Sequence, residues 1–273
     1  MRTLGVYRFT PLSIFALIMT SAISALAFTW PFLVSSDEGR IQLIFWLAMP
    51  FALLLLLTSL SNKSLDAKSI ALLGVLAALF TALRPLGAGA VGIEPMWFLL
   101  ILATRVFGPA FGFLLGVIGM IASAALTGGF GPWLVYQVFA AGWIALGVAI
   151  IPKRFRGTPE LLALALYGVV ASGAFGVLMD LQFWPWALGT NTQLSYLPGD
   201  AVTENLQRFF IFHFATSMAW DIPRAVITAT LIMLFGSSVL NALRRSYVRA
   251  SFLAPIEFRD LSSNERVRAQ REL

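Results

Sequence analysis

Residues 127–142 read TGGFGPWLVYQVFAAG, in which three glycines and a proline interrupt two long apolar runs. Glycine adds backbone freedom and proline lacks an N–H group, so together they end a helix. In a lipid-embedded chain such a break is tolerated only at the interface or where it lines a protected cavity. Trp133, Tyr136 and Gln137 follow the break at once. We therefore expect a bundle of membrane helices with an opening lined by aromatic side chains at this point.

The composition is that of an α-helical membrane protein. Of the 273 residues, 59% are hydrophobic and 12% are charged, whereas a soluble domain is nearer half apolar and a quarter charged. Several apolar runs are long enough to cross a bilayer, which takes roughly 20 helical residues. The sequence therefore predicts an all-α, polytopic membrane helix bundle.

The scarcity of some residue types excludes several kinds of chemistry. The chain has no cysteine and one histidine, which excludes disulfides, thiol catalysis and a histidine-rich metal site. It has no P-loop and no HExxH motif, so no catalytic mechanism is specified. We expect a protein that is not an enzyme and that uses no cofactor or metal. The net charge of +6 is concentrated in loops and the tail, which favours control of topology over nucleic-acid binding.

Eight apolar runs are predicted to cross the membrane. They cover residues 11–34, 41–60, 69–83, 96–107, 110–127, 133–151, 160–181 and about 206–240. Ala25-Leu26-Ala27 resembles a signal-peptidase site, but the first run continues past it and we predict an uncleaved span. The last helix would be roughly 50 Å long, against about 30 Å of bilayer core. We therefore expect it to tilt, to kink near Pro223 or to project into water.

The distribution of basic residues predicts the orientation. With the N-terminus in the cytoplasm, the outer side holds only Arg40, Arg84 and Arg208, and the other basic residues lie inside. This bias predicts a multi-pass protein of the cell (plasma) membrane with both termini in the cytoplasm. Three irregular segments would then share the outer face: residues 84–95, 128–132 and 182–205.

Aromatic side chains near these outer breaks are the first candidates for a ligand site. Trp133, Tyr136 and Gln137 border one break, and Trp184 belongs to another. Flat apolar walls with a few polar groups suit a small-molecule site, although such rings also serve as plain interface anchors. We expect these four residues to contact a ligand, with the anchor interpretation left open for each ring.

Ionisable side chains in or beside apolar helices form a second candidate group. Such groups are costly in a membrane, so they usually face a cavity or one another. Asp180 follows small residues at four-residue spacing, which places it toward protein rather than lipid. Arg84 and Glu94 lie near the ends of a segment with two prolines and three glycines. We expect Asp180, Arg84 and Glu94 to contribute to the site.

The last predicted helix carries a polar stripe whose members are four, four and three residues apart. They are His213, Ser217, Asp221 and Arg224. Asp221 and Arg224 could simply neutralise one another. His213 lies nearer the outer end of the helix and is the better ligand contact.

A stripe of small residues marks one face of the third span. Gly74, Ala78 and Ala82 recur every four residues, and such stripes let helix backbones approach closely. This face could pack inside the bundle or dock a partner membrane subunit. The stripe alone favours internal packing.

Residues 66–142 resemble the substrate-binding S component of energy-coupling factor (ECF) vitamin transporters, in an actinobacterial-type form. Three stretches carry the resemblance: LDAKSIALLGVLAALFTALRPLGAGAVGIEPMWF at 65–98, ATRVFGPAFGF at 103–113 and GGFGPWLVYQVFAAGW at 128–143. The resemblance implies a six-helix substrate-binding core over residues 66–243. Two additional transmembrane helices in residues 1–65 would precede this core, and a basic cytoplasmic tail, 244–273, would follow it.

The resemblance also implies partners and a mode of action. Ala78 and Ala82 match the face with which the family docks on a transmembrane coupling subunit, and the segment 84–95 would close over the ligand. Two ATPase subunits would supply energy, in agreement with the missing P-loop, and the chain would topple in the membrane to deliver its ligand inward.

The expected ligand is a small-molecule vitamin or related micronutrient. Similarity to cobalamin-type S components makes cobalamin or a precursor the first expectation, with thiamine or its pyrimidine and queuosine precursors as others. A stand-alone secondary transporter, which inverted repeats would favour, and an integral-membrane enzyme are the alternatives.

Overall fold

The computed structural model describes residues 10–33, 48–54, 56–58, 67–87, 91–188 and 192–251. This part of the chain forms nine α-helices and contains no strand. The helices are α1 (Pro11–Leu33), α2 (Ala48–Thr58), α3 (Ala67–Leu83), α4 (Met96–Phe107), α5 (Pro109–Thr127), α6 (Trp133–Gly147), α7 (Thr158–Ala187), α8 (Val202–Thr216) and α9 (Met218–Ser251).

Six of the described helices are long and apolar enough to cross a membrane. They are α1, α3, α5, α6, α7 and α9. The prediction of an all-α, polytopic membrane bundle is confirmed. The fourth predicted span forms α4, which has 12 residues and is shorter than a full membrane crossing, and the second predicted span is not tested over its whole length. Much of the predicted span 41–60 lies outside the described residues, as do Arg2, Arg8, Lys63 and residues 252–273, so the orientation stays a prediction.

The short helix α4 lies at the centre of the bundle. It contacts α3, α5, α6, α7 and α9, and nine of its 12 side chains are buried. A helix that is apolar all round is typical of a core position. It ends at Gly108, whose φ of +97° is readily adopted only by glycine, and Pro109 opens α5 beside it. The Gly-Pro pair therefore fixes the length of α4.

Helices approach one another closely through glycine. A Cβ added to Gly112 would clash with Thr104 of α4, and one added to Gly116 would lie 3.1 Å from the backbone of Ala141 in α6. On α7, Gly168 packs against Thr228 of α9. The line of small residues that precedes Asp180 thus faces α9, as its spacing predicts.

The predicted last helix is two helices in the structure. α8 ends at Thr216 and α9 begins at Met218, so the break falls at Ser217, six residues before Pro223. The break therefore lies on the N-terminal side of Pro223 rather than at the proline itself, near which one of the sequence expectations placed a kink.

One end of the bundle is joined by a buried carboxylate at the start of α7. Glu160 is 1% exposed, and its oxygens lie 2.7 Å from Arg105 of α4 and 2.7 Å from Arg244 of α9. Arg105 also donates to the carbonyls of Ile151 and Pro152. This cluster ties three helices and the connection before α7 together.

Candidate functional site

At the other end of α4, α7 and α9, Arg224 is the centre of a polar network. Its Nε lies 2.5 Å from Oε2 of Glu94, and its Nη1 lies 2.5 Å from Oδ1 of Asp221. Nη1 also donates to the carbonyl of Ser172 on α7. The indole N–H of Trp97 donates to the same Glu94 oxygen at 2.8 Å. Glu94 is thereby attached to both α4 and α9.

Asp180 of α7 extends the network to α8. His213 Nδ1 lies 2.7 Å from Oδ2 of Asp180, and the hydroxyl of Ser217 donates to the same oxygen. Because a carboxylate can only accept, the imidazole donates from Nδ1. His213 Nε2 lies 3.9 Å from Oδ2 of Asp221. The four stripe residues therefore meet Asp180 and Glu94 in one buried network.

The Asp221 carboxylate is incompletely satisfied. Its Oδ2 is buried and has no hydrogen-bond partner among the described residues. It rests on Gly176 of α7, where an added Cβ would clash with it. Glu94, Asp180 and Asp221 thus supply three carboxylates, against the one guanidinium of Arg224 and the imidazole of His213. The network can accept hydrogen bonds from a ligand or take up positive charge.

The segment after α3 is attached to the bundle at three points. Arg84 donates to Ser123 of α5 and to the side-chain oxygen of Gln137 on α6, both at 2.8 Å. Gly92, with φ of +71°, lies on the backbone of Trp220, where a side chain would clash. Glu94 forms the third attachment, through Arg224. Residues 88–90 of this segment lie outside the described part.

An aromatic cluster lies beside the polar network. Tyr136 of α6 and Trp184 of α7 are buried in it, together with Phe209 of α8 and Tyr196 of the connection before α8. The indole N–H of Trp184 donates to the carbonyl of Leu194 at 2.7 Å, and its ring lies 5.5 Å from Phe209. Phe209 stacks on His213 at 6.1 Å. The cluster and the network are therefore in contact through Phe209 and His213.

The connection before α8 is fastened to that helix. Asn205 accepts from the N–H of Leu197 and donates to its carbonyl. Asp200 lies 2.6 Å from Arg208, and this hydrogen bond lowers the pKa of the Asp200 carboxyl. These contacts hold Tyr196 against Trp184 at 5.6 Å.

The structure sorts the predicted ligand residues into three groups and one outlier. Glu94, Asp180 and His213 belong to the polar network. Arg84 and Gln137 form a pair at the start of the segment, and Tyr136 and Trp184 lie in the aromatic cluster. Trp133 is 44% exposed and lies outside the described clusters.

The predicted docking stripe faces away from the described helices. Gly74, Ala78 and Ala82 are exposed, whereas Leu76 and Phe80 on the opposite face of α3 are buried. An added Cβ at Gly74 would meet no atom within 4 Å. The described structure therefore gives no support to the interpretation that this stripe packs inside the bundle.

Trp97 and Phe175 are members of the site that the sequence analysis did not single out. Trp97 donates to Glu94, and Phe175 lies under the Arg224 guanidinium at 4.9 Å and beside Trp97 at 4.6 Å. The three-residue spacing of Glu94 and Trp97 at a helix start was the available signal. Nothing in the spacing of α7 singles out Phe175. Among the described residues, no group of three His, Asp or Glu side chains could hold a metal.

Comparison with known proteins gives one family. The family model described as "ECF-type riboflavin transporter, S component" matches residues 64–245. No curated protein and no solved structure matches the chain. The matched segment contains α3 to α8 and most of α9, and it leaves α1 and α2 outside.

Proposed function

The chain belongs to the family of S components of ECF-type riboflavin transporters, and from this membership we propose how it binds its ligand. It is a multi-pass membrane subunit that binds a vitamin for an ECF importer. We propose that the polar network and the aromatic cluster together form the vitamin site. The family match over α3 to α9 carries this proposal, because it covers every element that supplies these two groups except α1 and α2.

The chemistry of the two groups favours a flat, polar ring system as the ligand. Stacked and edge-on rings such as Trp184, Tyr196 and Phe209 offer apolar faces. The partly exposed Glu94 offers hydrogen-bond acceptors. Riboflavin, which the family model names, combines a conjugated ring with polar groups and is the first ligand to test. Cobalamin, the expectation from the sequence, is the second.

We further propose that the exposed Gly74/Ala78/Ala82 face docks on the transmembrane coupling subunit and that two ATPase subunits supply energy. Small residues allow a partner helix to approach the backbone closely. The exposure of this face leaves room for such a helix.

Mass spectrometry of small molecules retained by the purified protein tests the ligand. We expect a vitamin to be retained, and isothermal titration should give saturable binding of riboflavin. Saturable binding of cobalamin instead would change the ligand assignment but would still support a vitamin-binding subunit. The proposal would be contradicted if the purified chain retained no micronutrient, bound neither compound and moved solute across liposomes unaided. That result would favour a stand-alone secondary transporter.

A further inference from the structure

The helix α1 lies outside the matched residues 64–245, yet its second half is buried against the core. Phe28 and Trp30 are 1% and 2% exposed, whereas Leu12 and Phe15 near its start are more than half exposed. α1 contacts α6, α7 and α8. A plain membrane anchor would need no such buried end.

Aromatic residues supply most of this contact. Phe28, Trp30 and Phe32 of α1 each contact two rings of the core. The ring-centroid distances are 4.9 Å for Phe28–Tyr136, 5.5 Å for Phe28–Trp143, 5.9 Å for Trp30–Trp186, 5.6 Å for Trp30–Tyr196, 6.0 Å for Phe32–Trp184 and 6.1 Å for Phe32–Phe209. α1 therefore packs on the aromatic cluster itself rather than on a remote surface.

A hydrogen bond fixes the position of α1 along the core. The indole N–H of Trp143 on α6 donates to the hydroxyl of Ser21 at 3.0 Å. A Trp N–H away from water needs a partner, and here the partner comes from α1. The matched core is thus incomplete at Trp143 without the preceding helix.

The orientation of two ring pairs points to a role in binding. Trp30 lies near-parallel to Trp186 at 30°, and Phe32 lies near-parallel to Trp184 at 26°. Both pairs join α1 to α7. Phe32 also contacts Phe209, which stacks on His213. α1 is therefore one ring away from the polar network.

We propose that α1 is a wall of the ligand site: it closes the side of the aromatic cluster between α6 and α8 against lipid, and Phe28, Trp30 and Phe32 set the affinity for a flat conjugated ring. This inference rests on the proposed function. It gives the N-terminal helix a binding role that the family core alone does not contain.

Tryptophan quenching by brominated lipids tests the wall without any ligand. The doubly substituted variant Phe28→Ala/Phe32→Ala should show more quenching than the parent, because Trp143 and Trp184 become accessible to lipid. Phe15→Ala is the matched control, since Phe15 is a 60% exposed ring of the same helix. Equal quenching in both variants would overturn the proposal that α1 shields the aromatic cluster from lipid.

Riboflavin titration of the same purified proteins tests the rings. Phe32→Ala and Trp30→Ala should each weaken binding about tenfold, and Trp30→Phe should recover most of the loss, with Phe15→Ala unchanged. Parental affinity in both alanine variants would overturn the binding role of α1 even where quenching rises. If the parent itself does not bind riboflavin, that ligand assignment fails, and the quenching result still decides whether α1 is a wall.

Discussion

The closest fit in the polar network is between Gly176 and the Asp221 carboxylate. Oδ2 of Asp221 fills the space of a Cβ at this glycine and finds no hydrogen-bond partner among the described residues. A buried acceptor without a partner costs about 1–3 kcal/mol. The carboxylate is therefore held by Oδ1, which accepts a hydrogen bond from Arg224. The Asp221–Arg224 pair can take this position because residue 176 is glycine and has no side chain.

Gly176→Ala should destabilise the protein, because the new methyl group displaces the Asp221 carboxylate. Overpacking of this kind costs about 1–3 kcal/mol, and we expect a lower melting temperature in detergent, followed by circular dichroism. Gly173→Ala is the matched control on the same helix, since an added Cβ there meets no atom within 4 Å. Alanine gains helix propensity over glycine, so this control should melt no earlier than the parent. Equal melting of the two variants would contradict the close approach at 176.

Local spacing predicted part of this network and could not predict the rest. The three-residue separation of Asp221 and Arg224 indicated their pairing, which the structure contains at 2.5 Å. The bond from Arg224 to Glu94 joins residues 130 positions apart. Helical periodicity carries no information on such a contact, because it depends on how the segment after α3 lies on α9.

One carboxylate supplies the polar contacts that attach α8 to α7, beside the ring contact of Trp184 with Phe209. Asp180 accepts from His213 and from Ser217, at the point where the chain leaves α8. Apolar length predicted most helices well, as with the run 110–127 and α5. It could not place the break at Ser217, where the side chain bonds to Asp180, 37 positions earlier in the chain.

Asp180→Ala should loosen α8 as a unit, since His213 and Ser217 lose their shared acceptor. We expect amides of residues 202–216 to exchange hydrogen about tenfold faster, corresponding to about 1.4 kcal/mol of lost protection. Amides of the central helix α4 should keep the parental rate in the same mass-spectrometry experiment. Glu204→Gln, an exposed change on α8, is the control. Parental exchange in α8 would show that other contacts hold it.

The three helices α4, α7 and α9 are joined near both ends by polar contacts. At one end Arg224 of α9 contacts Glu94, which precedes α4, and the carbonyl of Ser172 on α7. At the other end Glu160 of α7 contacts Arg105 of α4 and Arg244 of α9. Removing one partner of a buried pair such as Arg105–Glu160 costs about 3–5 kcal/mol, so these helices should move together. The exposed face of α3 lies outside this unit and is available to a partner.

Ala78→Leu should abolish uptake and co-purification with the coupling subunit while sparing vitamin binding, because the larger side chain holds a partner helix away. Cellular uptake and pull-down of the full complex are the measurements, with titration of the purified chain beside them. Ala125→Leu, an exposed alanine on α5, is the matched control and should behave as the parent. If uptake survives Ala78→Leu, the coupling subunit does not dock on this face of α3.

The brevity of α4 has a consequence for transport. Its 12 residues rise about 18 Å, against about 30 Å of hydrocarbon. The Glu94 and Glu160 clusters beyond its two ends are therefore separated by a distance well below the thickness of the hydrocarbon core. A vitamin resting at the Glu94 tip would already be past the headgroups, so its delivery needs a displacement well short of a full bilayer crossing.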